Sequence, residues 1–507
     1  MNTPTPTTTT ILGVTIKHDI IFLTIFIVFT LGLVGLILTG VDTDSLCSPP
    51  RNIGLYRPIG LGRETVCSRI VAYTNDVDPL FILPSTQAIT SQLFNKSGGG
   101  GGGDDGDNEY HYSAPRTTNL LWAWLRFVEH DLVEFRRNDT NSERDDYLLD
   151  KKNNSQQINY ASPYLDLSQI YGNDFQQAQA IRRDDGTGKL LTNYSVAAET
   201  ATTDSIEGDL PVFSMLDARH GDSLIVDALY ALFIREHNYW CDRIYALRLH
   251  LLGYDYYNIA RHIVIAEMQA ITYRTILPLL IGDTININVP CFSNEQGTSM
   301  IYSVDHYVRR VSVYNEFATA VLPAVYMTME DGENTTNNDE YLWENGLSGV
   351  FINASKTRAR QRDIFIDDKI LDLANRQLEK ERDHQIPPFQ QYYNHYIHDM
   401  HVTCQRFAYD RSLCNQVAAV FNGEQIDLFT GTLLERKFSS NALLGNIAAH
   451  MFANQFTHLK RNDHYFYLWD DVVKPYLSEI HHVSLAKIIL RNTAADVTDL
   501  KPNVFEF

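Results

Sequence analysis

Apolar positions recur at helical spacing through most of the chain beyond residue 116. In WAWLRFVEHDLVEF, residues 122–135, Trp122, Leu125, Phe127, Val128, Leu132 and Phe135 fall on one face, which predicts a buried helix over about 116–136. Residues 222–251 carry a second long pattern, and residues 255–280 a third with Pro278 as its stop. Further helices are predicted at about 307–322, 367–381, 388–403, 441–460 and 484–492. Strand signals are short and scattered, and no internal repeat is present. The fold class is mainly α, with long ordered loops.

The first hundred residues break this pattern. Residues 20–39, IIFLTIFIVFTLGLVGLILT, carry no charge over a length that spans a bilayer. The run is longer than a secretory signal core, which favours an uncleaved signal anchor at 20–40. Lys17 before it, and Asp42 and Asp44 after it, place residues 1–19 in the cytosol as a short disordered tail. The expectation is a single-pass type II membrane protein with its bulk outside the cytosol. Residues 41–115 are rich in Pro, Gly and turn signals and read as an irregular arm. Residues 97–107, SGGGGGGDDGD, form a flexible insertion within it, and residues 116–507 form the main domain.

Net charge of −20 argues against nucleic acid and anionic lipid as partners. N-x-S/T acceptors at Asn95, Asn138, Asn153, Asn193, Asn334 and Asn353 agree with an extracytoplasmic body. Six cysteines allow 15 pairings, of which Cys47–Cys67 and Cys404–Cys414 are favoured by proximity. No C-x-x-C occurs, which excludes a zinc ribbon or thioredoxin-like site.

Three ionisable neighbours, Glu129, His130 and Asp131, interrupt the first helix. Buried charges are costly unless paired or metal-bound, so three side chains there call for three partners. Residues 161–172, ASPYLDLSQIYG, supply Ser162, Tyr164, Asp166 and Ser168 at a spacing that suits a loop around a hard cation. Arg219, in DARHGD before a long helix, could donate to an oxygen on which charge develops. His395, His398 and His401 share helical spacing and read more simply as a solvated face than as a metal site.

In these segments the chain resembles the animal haem peroxidase superfamily. WLRFVEHDL is similar to the family's W-G-Q-x-x-D-H-D helix, SPYLDLSQIYG to its calcium loop, and DARHGD followed by LFIREHN to D-x-R-x-x-E and L-x-R-E-H-N. ITYRTILP, VYNEFATA, ERDHQIPPF and KPNVFEF follow in family order, so the resemblance covers roughly residues 45–507. It implies haem b and Ca²⁺ as cofactors, and hydrogen peroxide and a small-molecule donor as substrates. His130 would be the general base and acid, and Arg219 the stabilising cation. Asp131, Ser162, Tyr164 through its carbonyl, Asp166 and Ser168 would hold the calcium ion.

Several positions depart from the family. Its haem-ester carboxylates fall at Glu129 and Asp222, each exchanged for the other acid, and its distal Gln falls at Arg126. Its proximal His, in N-x-F-x-T-A-A-F-R-F-G-H, falls at Tyr326 in NEFATAVLPAVY, with Pro323 in place of Arg; a slip of one residue would put Val325 there. The Asn that orients that His falls at Gln377, and a nearby Arg at Lys380. Three readings stay open: phenolate ligation by Tyr326, altered or ester-held haem, and a fold kept without haem. The expectation is therefore a membrane-anchored peroxidase, or a non-catalytic pseudoperoxidase acting through a protein partner in adhesion or assembly at a cell or viral envelope.

Overall fold

The computed structural model describes residues 8–11, 14–17, 65–66, 83–95, 116–135, 158–192, 223–247, 251–282, 311–329, 338–360, 366, 370–398, 403–404, 411–421, 425–437 and 439–507. Within them the chain is mainly helical, with two small antiparallel pairs: β1 (Thr8–Ile11) with β2 (Val14–Lys17), and β3 (Thr65–Val66) with β4 (Ile158–Asn159). The 20–39 run, the Gly-rich insertion, Arg219, Asp222, Cys47 and Cys67 lie outside the described residues.

The fold is layered around α1 (Asn119–Leu132), all fourteen residues of which are buried. It is flanked by α2 (Leu224–Ala246), α4 (Leu322–Met329) and α5 (Asn338–Lys356), while α3 (Gly253–Ile271) packs along α2. Aromatic rings fill the seam. Phe127 stacks on Phe233 of α2, and Trp124 meets the edge of Phe505 from the C-terminal tail. That tail also fixes the start of α1: Thr118 donates its N–H to Phe505 O and its hydroxyl to Val504 O, and the N–H of Asn119 reaches Thr357 O. These bonds satisfy groups that a helix start leaves without intrahelical partners.

Two helices run past prolines, one of which, Pro278, was predicted as a stop, and both do so by widening. A proline in a helix has no N–H, and its ring crowds the carbonyl four residues earlier. Thr272–Ile276 and Phe317–Val321 are π-helical turns, each ending two residues before a proline. So Pro278 does not stop the third helix, which continues to Ile281 and ends at Gly282 with φ +67°. The element expected at 307–322 runs on to Met329 as α4.

Other boundaries moved by a few residues. The helix expected at 388–403 spans Phe389–Ile397 and ends at His398 in the left-handed conformation, which takes His398 off the helical face shared with His395. The remaining elements used below are α6 (Leu371–Asp383), α7 (Leu428–Leu434), α8 (Asn446–Asn462) and α9 (Leu485–Asn492). Cys404 and Cys414 form a disulfide as expected, and Cys241 is a buried free thiol. Asp255–Ile281 has the length and apolarity of a membrane span, but 78% of its most apolar stretch is buried in the protein, as in a core helix.

Candidate functional site

The last turn of α1 resolves the three ionisable neighbours. Successive helical residues point about 100° apart, so Glu129, His130 and Asp131 face three different elements. His130 is 3% exposed, and its Nδ1 lies 2.9 Å from the hydroxyl of Tyr230 on α2. Glu129 accepts a hydrogen bond of 2.7 Å from the Tyr326 hydroxyl on α4. Asp131 turns to the loop at 162–168.

That loop is built around Asp131. Its Oδ2 accepts from the N–H of Asp166 at 3.0 Å and its Oδ1 from the N–H of Ser168 at 2.6 Å. The Ser168 hydroxyl reaches the Asp131 carbonyl at 2.9 Å and Oδ1 at 3.1 Å, while the Ser162 hydroxyl donates to Asp166 Oδ2 at 3.0 Å. Between the two N–H donors sits Leu167, fully buried at φ 57°. A left-handed leucine costs roughly 1–2 kcal/mol and persists where surrounding contacts enforce it. Burial first, and then the Asp166 charge, hold the Asp131 carboxyl well above the usual carboxylate range. Buried Tyr164 lies in the same loop, its N–H directed at the Ser162 hydroxyl. Two carboxylates, two hydroxyls and nearby carbonyls form an all-oxygen set of the kind that suits a hard divalent cation. Among the described residues no group of three or more His, Cys, Asp or Glu side chains could hold a metal ion, so hydroxyl and carbonyl oxygens would have to complete such a set.

On the opposite side of α1, Arg126 is buried with its guanidinium 6.0 Å from the Tyr326 ring centre. Arg126 and Glu129, three residues apart, share one face of α1, and both meet Tyr326 there. Tyr326 is 4% exposed, and its neighbour Val325 is fully buried. Gln377 on α6 donates from Nε2 to the carbonyl of Thr319. That carbonyl belongs to the residue four before Pro323, the one a proline leaves without its helical donor. Gln377 thus caps the widened turn. Lys380 lies with Nζ 4.4 Å from the Phe135 ring centre.

Tyr230 and His384 went unread in the sequence. Tyr230 sits on an apolar helical face, and only its spatial approach to His130 singles it out. His384 Nδ1 lies 2.7 Å from Asn315 Oδ1, tying the end of α6 to the start of the Phe317–Val321 turn. In REHN, His237 lies 3.1 Å from both the Tyr171 hydroxyl and Gly188 O. Burial lowers the His237 pKa to about 3, which keeps the ring neutral. Glu236 and Glu267 share Arg491 at 2.7 Å each. This network is structural: it knits α2, α3 and α9.

An animal haem peroxidase family model matches residues 134–366 and 357–505, most of the chain. The chain is 26% identical over 411 residues to a mouse peroxidasin homologue, covering 69% of this chain and 26% of that protein. It is 24% identical over 387 residues to the chorion peroxidase of Drosophila melanogaster, covering 66% of this chain and 46% of that one. The chain thus spans less than half the length of either relative. Among solved structures it superposes on peroxidase A of Dictyostelium discoideum with a TM-score of 0.64 at 17% identity, over 89% of this chain and 96% of that one. The order of helices, the loop clasped by Asp131 and the extent of the family match lead to one conclusion: the chain belongs to the animal haem peroxidase family, a membership that implies haem binding.

Proposed function

We propose that this chain uses the peroxidase fold as a calcium-braced scaffold without peroxidase turnover, its haem cleft closed by Tyr326 on Glu129. The 2.7 Å hydrogen bond between these side chains carries the reading. An oxygen bound to the central iron and a carboxylate esterified at the ring edge are held apart by the radius of the macrocycle. Here the position expected to ligate iron and the position expected to ester-link the ring edge touch each other directly. The expected proximal His is replaced by Tyr326 and the expected Arg by Pro323, so the one described guanidinium near Tyr326 is that of Arg126, which lies on α1 beside Glu129. These residues do not fit a haem, and no reaction step is derived through one.

Calcium would be held by Asp131, Ser162, the Tyr164 carbonyl, Asp166 and Ser168. The ion would fix the end of α1 and offset the repulsion between Asp131 and Asp166. The hydrophobic run at 20–39 supports display of this scaffold from a membrane, with a protein partner in adhesion or assembly at a cell or envelope surface.

The test is oxidation of a phenolic donor by hydrogen peroxide with haem supplied. The expected rate is no higher than that of free haem, and saturable turnover lost in His130→Ala would overturn the proposal.

The buried His130 favours a second reading, peroxide-dependent oxidation. For His130 to take a proton at Nε2, Nδ1 must carry the ring hydrogen and give it to the Tyr230 oxygen. This reading requires the Tyr326–Glu129 bond to open.

A further inference from the structure

A pocket of about 480 Å³ lies at the far end of α1 from His130. Arg116, in its lining, precedes the helix, and the eleven helical steps from Asn119 to His130 separate the two sites by about 16 Å. The pocket therefore belongs neither to the closed cleft nor to the loop at 162–168.

Five separate stretches of chain build it, and hydrogen bonds tie them together. Phe507 N–H reaches Arg116 O at 2.6 Å, and the N–H groups of Leu443 and Leu444 both reach Leu280 O at 3.0 Å. Thr117 pairs with Glu506, and Lys437 with Gly445, as antiparallel bridges. The walls are thus set before any ligand arrives, which lowers the ordering cost of binding.

Its lining combines cationic and apolar groups. Arg116, Arg274 and Lys437 bring three positive charges to the lining against the single negative charge of Glu506, in a chain whose net charge is −20. The guanidinium groups of Arg116 and Arg274 make no hydrogen bond or ion pair with any described residue, whereas Glu506 accepts 2.7 Å from Asn503 Nδ2. The same lining carries the apolar side chains of Pro278, Leu279 and Leu485. Guanidinium forks bind carboxylate and phosphate oxygens in pairs, and an apolar wall of this kind takes an alkyl or aryl body.

We propose that this pocket binds a small amphipathic anion, its carboxylate or phosphate head between Arg116 and Arg274 and its apolar body against Pro278, Leu279 and Leu485. Occupation would not depend on the state of the haem cleft, so the proposal stands or falls separately from the function proposed above.

Calorimetric titration of the full chain with sodium dodecanoate, dodecyl phosphate, dodecanol and inorganic phosphate tests it. One saturable site is expected for at least one of the two amphipathic anions, and the tighter of them names the head group. Dodecanol and inorganic phosphate are expected to bind at least tenfold more weakly. Arg274→Gln, at an exposed position, should weaken the anion at least tenfold. Leu279→Asp should do the same through the tail. Equal affinity in both variants, equal binding of dodecanol, or no saturable binding of either anion would overturn the proposal.

Discussion

Replacing Asp131 by alanine removes one acceptor from three donors: the N–H groups of Asp166 and Ser168 and the hydroxyl of Ser168. The hydroxyl keeps the Asp131 carbonyl at 2.9 Å, so two buried backbone N–H groups are left without an acceptor. A stranded buried donor costs about 1–3 kcal/mol, which puts the ion-free loss at about 2–6 kcal/mol. Relief of the repulsion between Asp131 and Asp166 pulls toward the lower end. A cation that binds the native state alone adds about 4 kcal/mol at a thousandfold excess over its Kd, and the variant forfeits that as well. The assay is differential scanning calorimetry of wild type and Asp131→Ala, each with excess calcium and with chelator. Chelation should lower the wild-type Tm by several degrees and leave the variant, already low, unmoved. An equal chelator shift in both proteins, or no shift in wild type, would refute the reasoning.

Arg491→Leu should cost about 3–5 kcal/mol in a denaturant melt, because it leaves Glu236 and Glu267 buried without their shared cation. Burial first, and then Glu236, hold Glu267 well above the ordinary glutamate value of about 4.3. The folded state therefore binds more protons than the unfolded chain above that value, and the contribution of Glu267 to stability falls as pH rises from it to the higher value of the folded state. Glu267→Gln should lessen that decline in a Tm series from about pH 4.3 upward; an unchanged slope would contradict the assignment. Gly431→Ala should destabilise by at least about 1–3 kcal/mol, since a Cβ there would stand 2.2 Å from the Phe389 ring, and a neutral melt would show that α7 can move aside. Tyr326→Phe should lower stability by about 1.5–3 kcal/mol through loss of a hydrogen bond to the buried Glu129 carboxylate, and an unchanged melt would mean that the bond contributes nothing.

Local features were legible in the sequence. The helix carrying Glu129, His130 and Asp131 announced itself by apolar spacing and by three polar residues too costly to bury unpaired. The Ser162–Ser168 loop was legible from its alternating oxygen-bearing residues, and the structure puts Asp131 at its hub. Proline was misleading at Pro278 and was passed again at Pro323, since a helix that widens can continue through it. His398 left its helical face by a single left-handed residue, which residue spacing does not reveal. The Tyr326–Glu129 contact joins residues 197 apart in the chain, and that separation is the reason it could not be read from the sequence. Sequence marked Tyr326 as a substituted ligand position; only packing showed it turned onto the carboxylate of the opposite helix.

The most direct measurement is an absorption spectrum and haem content of the full chain, purified after expression with haem available, beside Tyr326→Phe. The account predicts no Soret band approaching one haem per chain in either protein. A stoichiometric Soret band in wild type would contradict it, and loss of that band in Tyr326→Phe would place Tyr326 on the iron.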